Sequence, residues 1–254
     1  MTATKAPPNG ERIAKRLAAA GLCSRRDAER WIADGRVMVN GQLITSPALN
    51  VTSADHILVD GQPLTPAKAD ALPRLFMFHK PAGVLCTARD PQGRPTVFDK
   101  LPRGLPRLLL VGRLDLNSEG LLLLTTDGDF AQRLMHPSTG LARTYRVRFR
   151  GVLSPAMLAR LAQGLTIDGV RYRPIDAQMD KTLGTGVNHW ATVTLHEGKN
   201  REIRKVFEYL GLPVNRLRRV SYGPFELGPL DVAQLREVPP ADVKRLLGQL
   251  EQGA

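Results

Sequence analysis

The sequence predicts an α+β protein in two parts, a small helix–helix–hairpin module ahead of a larger domain of strands and short helices. Three observations carry this. Residues 11–62 hold two short amphipathic stretches, then an Asn-Gly turn between alternating apolar residues. A Pro/Ala/Lys-rich stretch from Pro63 to Pro73 has the composition of a linker. Beyond it, from 74 to 250, apolar strand-sized segments alternate with short helical ones, without the regular spacing of a βαβ series.

Residues 1–10 are polar and proline-containing and are expected to be disordered. Glu11 to Gly21 reads as a helix, with Ile13 and Leu17 on one face and glycine at the stop. Ser24 is a candidate N-cap with Asp27 as its capping-box partner. The helix it opens runs to about Asp34 and buries Ala28, Trp31 and Ile32. Val37 to Ile44 forms a hairpin turning at Asn40-Gly41, and His56 to Leu64 forms more strand, turning at Asp60-Gly61. Arg12, Lys15 and Arg16 recur at helical spacing beside Arg25 and Arg26. They can form a basic stripe or simply a solvated face.

In the larger domain, Leu108 to Val111 reads as a strand leading into Gly112-Arg113-Leu114-Asp115. A polar turn, Asn117 to Gly120, is expected next, then a buried strand, Leu121 to Thr125. Asp127 can cap a helix through Phe130 and Leu134 that ends before Pro137. Asp115 lies on a loop between two core strands, where a rigid scaffold presents reactive groups; an aspartate there is also an ordinary turn former. Arg143 to Arg150 alternates with period two, Tyr145, Val147 and Phe149 on one face and Arg146, Arg148 and Arg150 on the other. Arg201 to Leu210 reads as a helix, with Ile203, Val206, Phe207 and Leu210 on its apolar face and Asn200 as N-cap. Arg204 sits at the margin of that face, where its charge needs a partner. A last helical stretch is expected over Asp242 to Leu250.

Composition narrows the function. The chain has 43% apolar and 24% charged residues, ordinary for a soluble globular protein. No apolar run approaches bilayer length, and no secretory signal opens the chain, so the cytoplasm is the expected compartment and no membrane partner is expected. Cys23 and Cys86 form no CxxC, and the five histidines match no zinc spacing, so no metal is expected. The net charge of +12 points to a polyanionic partner, of which nucleic acid is the commonest in the cytosol.

Several strings carry a resemblance. RIAKRLAAAGLCSRRDAERWIADGRVMVNG, beginning at Arg12, resembles the S4 RNA-binding domain. GRLDLNSEGLLLLTTDGDF, beginning at Gly112, resembles the catalytic motif of the pseudouridine synthases of the RsuA/RluB branch. HKPAGVLCTARDPQGRPTVFDKLP and EGKNREIRKVFEYLGLPVNRLRRVSYGP resemble that family's other two motifs, and the wording of the former points to RluB-like members. The resemblance implies an S4 domain over 11–62 and a catalytic domain over 74–250, built on a mixed, mainly antiparallel sheet with flanking helices. Two positions depart from the family's usual wording: Glu119, a charge close to Asp115, and His79, before Lys80-Pro81.

What the family implies for function is specific. A uridine is isomerised after base flipping, with Asp115 essential, Tyr145 stacked on the base and Arg204 paired with Asp115. Positioning of base or RNA falls to Arg113, Lys80, Ile203, Asn200 and Arg201. RNA contact in the S4 domain falls to Arg12, Lys15, Ser24, Arg25, Arg26, Arg36 and Asn40. The implied partner is ribosomal RNA, 23S by the RluB-like wording, either naked or in an assembly intermediate. The implied protein is a monomer. The reaction involves no redox step or group transfer, so no cofactor is implied. The alternatives are an RsuA-type 16S enzyme and, in another class, a non-catalytic S4-domain assembly factor.

Overall fold

In a computed structural model of the chain, residues 10–65, 72–180 and 186–252 are described. The expectations for residues 1–9 and for the middle of the 63–73 stretch lie outside them. Internal contacts divide the chain into two units, Met1–Ala71 and Leu72–Ala254.

The first unit runs β1 (Glu11–Arg12), α1 (Ile13–Ala19), α2 (Arg25–Ala33), β2 (Val37–Val39), β3 (Gln42–Leu43), β4 (Asn50–Val51), β5 (Ile57–Val59) and β6 (Gln62–Pro63). Ile13, Leu17, Ala28, Ile32, Val37 and Val59 fill its core. The capping box is present: the Asp27 N–H donates to Ser24 Oγ and the Ser24 N–H to the Asp27 carboxylate. Asn40 and Gly41 both take positive φ between β2 and β3, as do Asp60 and Gly61 between β5 and β6, the backbone a two-residue hairpin turn requires. The first helix starts two residues later than its periodicity suggests. Glu11 and Arg12 are drawn into strand pairing with Val51 and Asn50, a long-range contact that local spacing does not encode. Trp31, expected to be buried, is only half-buried, and the Arg36 guanidinium covers its ring at 4.6 Å.

The second unit contains β7 (Leu75–Lys80), β8 (Leu109–Val111), β9 (Ser118–Thr125), α3 (Gly128–Met135), β10 (Arg143–Arg150), α4 (Pro155–Gln163), β11 (Leu165–Ile167), β12 (Val170–Tyr172), β13 (Asp176–Met179), β14 (Asn188–Leu195), α5 (Glu202–Tyr209), β15 (Val214–Tyr222), β16 (Phe225–Glu226), β17 (Leu235–Glu237) and α6 (Pro240–Gln252). Its main sheet has the order β13-β14-β10-β15-β9-β7-β17, with β8 on β9 and β16 on β15. All of its pairings are antiparallel except β15 on β9. One face packs Phe76, Phe78, Leu122, Leu124, Val147 and Phe149 against α4 and α5; Phe149 meets Phe207 edge-on at 5.2 Å. The other face, over β7 and β9, packs Leu75, Met77, Leu121 and Leu123 against α3 and α6.

The parallel β9–β15 pairing determines where the site forms. It matches Leu217, Arg218 and Arg219 to Ser118, Glu119 and Gly120. The expected polar turn at 117–120 is therefore shorter, and β9 begins at Ser118. Gly120 permits this through its φ of +105° and its missing Cβ, which would collide with the Arg219 backbone.

Candidate active site

Asp115 stands between β8 and β9 on a loop held at almost every residue. The Gly112 N–H donates to Met135 Sδ at 2.9 Å, and the Leu114 N–H to Cys86 Sγ at 3.4 Å. The Ser118 N–H donates to the Asp115 carbonyl at 3.0 Å and the Gly83 N–H to that of Leu116 at 2.8 Å. Lys80 Nζ, wholly buried, donates to the carbonyls of Pro81, Leu116 and Ser118 at 2.9, 3.3 and 2.8 Å. Burial pushes this ammonium below the ordinary lysine value, with Cys86, Asp115 and Glu119 offsetting part of the effect. Lys80 is thus a clamp beneath the loop and does not reach the cavity, a correction to its expected role in positioning base or RNA. Burial raises the pKa of the Cys86 thiol, so it stays protonated.

Above the loop lies a cavity of about 400 Å³, within the range of small-molecule sites. Arg113, Asp115, Tyr145, Arg201 and Ile203 all line it, so five of the residues that the resemblance implies converge on one space. Asp115 Oδ2 is 3.6 Å from Arg204 Nε and 3.7 Å from Arg201 Nη1. Arg204 approaches from behind, 14% exposed, its other nitrogens donating to the Val214 and Asn117 carbonyls at 3.1 and 3.3 Å. Burial lowers the pKa of its guanidinium and Asp115 raises it, while Nε itself has no hydrogen-bond acceptor among the described residues.

The turn into α5 differs from expectation. The helix begins at Glu202, and the cap position is Arg201, held at φ 53° with no side-chain cap. Such backbone is uncommon outside glycine and is concentrated at functional sites. Glu202 stabilises the turn: its carboxylate accepts from the Lys199 N–H at 3.0 Å, and its own N–H donates to the Lys199 carbonyl at 3.3 Å. Asn200 is exposed and lines no part of the cavity, and the cap position falls on Arg201, which corrects the expected role of Asn200 as N-cap.

Other cavity residues were not among those the resemblance names for the site. Arg143 is buried, donating to the Tyr222 hydroxyl at 2.9 Å with its guanidinium 4.7 Å over that ring. It shares a face with Tyr145 by simple alternation, so the signal was available. Arg219 is buried too, its Nε donating to the Leu121 carbonyl at 2.7 Å. Glu197 and Glu202 form a buried carboxyl pair at the cavity wall. Burial and the Glu197 charge raise Glu202 to about pH 7. Burial acts on Glu197 too, but the Arg173 N–H and the Lys199 ammonium outweigh it and hold Glu197 below its ordinary value. Most basic side chains between Lys199 and Arg219 thus have carboxylate partners within the unit: Lys199 with Glu197, Arg201 and Arg204 with Asp115, Arg216 with Glu119. Glu119 points away from Asp115 and accepts from Arg216 Nε at 2.8 Å, so it adds no free charge to the cavity.

In the first unit, Ser24, Arg36 and Asn40 have partners inside the module. Ser24 caps α2 and Arg36 forks onto Asp60. Asn40 donates to Asp55 at 2.7 Å and accepts from the His56 N–H at 2.9 Å. Arg12 donates to the Ala48 carbonyl and Lys15 pairs with Glu11, while Arg25 and Arg26 are exposed on the first turn of α2.

The fold agrees with the comparisons. Residues 74–209 match the family described as RNA pseudouridylate synthase, and residues 11–57 match the S4 domain. The chain is 45% identical over 234 residues to ribosomal large subunit pseudouridine synthase B of Pseudomonas aeruginosa, spanning 91% of this chain and 60% of that protein's length. It is 46% identical over 228 residues to an uncharacterized RNA pseudouridine synthase of Rickettsia bellii, spanning 90% of this chain and 96% of that one. A crystal structure of a pseudouridylate synthase superposes with a TM-score of 0.64 at 26% identity, covering 92% of this chain and 99% of the other. The chain belongs to the RNA pseudouridine synthase family.

Proposed function

We propose that this protein isomerises a uridine of 23S ribosomal RNA to pseudouridine, acting as a cytoplasmic monomer on the RNA or on an assembly intermediate. The observation that carries the reading is the convergence of Asp115, its arginine partners and Tyr145 on one cavity. The large-subunit assignment is supported by the relative's name.

In this reaction the N1–C1′ bond breaks, the uracil turns, a C5–C1′ bond forms, the hydrogen at C5 leaves as a proton, and N1 takes up a proton. A base inside folded RNA must first be extruded, which is least costly from a loop. Tyr145 offers its ring to the flipped uracil, and stacking holds the base without requiring any ionisation. Arg113, exposed at the cavity rim, takes the adjacent phosphate or the space the base has left. Asp115 acts on the sugar, as nucleophile at C1′ or as base at C2′; both routes need an aimed, ionised carboxylate. Arg201 and Arg204 supply that, and their contacts tighten to hydrogen bonds once RNA closes the cavity. RNA contact in the first unit falls to Arg25 and Arg26 with Arg12 and Lys15, while Ser24, Arg36 and Asn40 hold that surface in shape.

The test uses 23S and 16S ribosomal RNA tritiated at uridine C5. Release from 23S alone supports the full reading. Release from 16S alone overturns the substrate, and release from neither, with an assembly intermediate also inert, overturns the reaction.

A further inference from the structure

The faces of β10 and β15 divide their side chains sharply. Tyr145, Leu217 and Arg219 face the cavity. Their neighbours Arg146, Arg148, Arg216 and Arg218 point to the opposite face of the sheet. There the register sets Arg146 directly across from Arg218, and Arg148 across from Arg216. On the other side of β10, Arg148 meets Trp190 and Arg146 meets Thr192. Like charges directly opposite on a sheet are destabilising. Asp180 pairs with Arg146 and Glu119 with Arg216, which neutralises half the cluster. Arg148 and Arg218 form no ion pair among the described residues: Glu119, the register partner of Arg218 on β9, turns its carboxylate to Arg216, and Arg218 Nε is buried without an acceptor. Toward β7 and β9 this face is packed by α3 and α6, but here it presents arginines and a half-exposed tryptophan.

A sheet stabilised for its own sake would not place four arginines in two facing pairs. We propose that this half-face, centred on Arg148, Arg218 and Trp190 and part-exposed among the described residues, is a second RNA-contact surface on the side of the sheet away from the cavity. It takes a single-stranded or loop segment of the substrate RNA outside the one that carries the target base. Charge complementarity selects the occupant. Two guanidiniums without an ion-pair partner match phosphates, and Trp190, whose ring has the Arg146 guanidinium over it at 5.5 Å, offers its other face for a base to stack on. The inference rests on the proposed RNA substrate and extends it to where the rest of that RNA runs.

The experiment compares wild type with Arg148→Gln/Arg218→Gln and with Trp190→Ala, all full-length, binding a 23S transcript across a salt series. Losing two phosphate contacts should flatten the slope of log K against log salt by about 1.4, and weaken binding on the order of tenfold near 0.1 M salt. Trp190→Ala should weaken binding severalfold with the slope unchanged. The double glutamine variant should melt no lower than wild type, since it removes facing like charges. Arg148→Lys/Arg218→Lys should restore the slope, which a merely structural role would not predict. Wild-type affinity and slope in all variants would overturn the proposal. So would unchanged RNA binding with lost binding to large-subunit precursor particles, which would assign the face to a protein. The slope is read without turnover, so a wild type that binds but releases no tritium would sink the proposed reaction and leave this surface standing.

Discussion

At the residue scale, the site depends on charges kept where water cannot satisfy them. Lys80 shows this most plainly: three loop carbonyls share its ammonium inside the core. Lys80→Met should lower stability by about 1–3 kcal/mol, measured by denaturant unfolding, because it strands those acceptors. It should also lose turnover while keeping RNA affinity, measured by filter binding; a contact to RNA would show the reverse. Glu202 makes a pH prediction. Below about 4.5, its ordinary value, the carboxyl is neutral folded and unfolded; between there and about 7 only the unfolded chain has lost the proton. The folded state then binds more protons, so this group's contribution to stability falls as pH rises through that window and stays lower above it. Glu202→Gln should abolish that fall, so its thermal midpoint should gain on wild type from pH 5 to pH 8. A parallel pH dependence in the two proteins would contradict the assignment. Asp115 and Arg204 were legible as motif members and Tyr145 through the family resemblance, yet periodicity alone left each open to a plainer structural reading. Glu202 was not legible, because a glutamate in the first turn of a helix normally faces solvent, and only the fold brings Glu197 beside it.

At the element scale, one strand crossing places the chemistry. β15 lies parallel to β9 for three residues, and that contact carries Leu217 and Arg219 to the cavity beside the Asp115 loop. Gly120→Ala should break it, since a methyl group would occupy the Arg219 backbone and φ there is +105°. The expected loss is at least ~2 kcal/mol, read as a depressed thermal midpoint. Wild-type stability would refute the steric argument. Local pattern identified most elements here: the period of two in β10, the apolar stripe of α5 and the Asp127 cap, whose carboxylate accepts from the Phe130 N–H at 2.6 Å. It failed where partners distant in sequence decide the outcome. Ser118 to Gly120 looks like a turn until β15 pairs with it, and Glu11-Arg12 looks helical until Asn50-Val51 does.

At the scale of the whole molecule, the net charge of +12 conceals a division of labour. Arginines within the second unit hold Asp115, the Asn117 carbonyl and the Leu121 carbonyl, so they build the site before they meet any RNA. Overall charge was legible from composition, but which arginines are structural depends on burial and was not. Binding should therefore be steeply salt-dependent, while turnover at saturating RNA should not be. The central claim is that the Asp115 carboxylate performs the isomerisation inside a preformed cavity. Its most direct test is single-turnover tritium release from C5-labelled 23S RNA by Asp115→Asn, with RNA affinity measured on the same sample. The account predicts wild-type affinity and release lowered by several orders of magnitude, since shape and hydrogen bonding survive while the charge does not. Substantial release at intact affinity would contradict it.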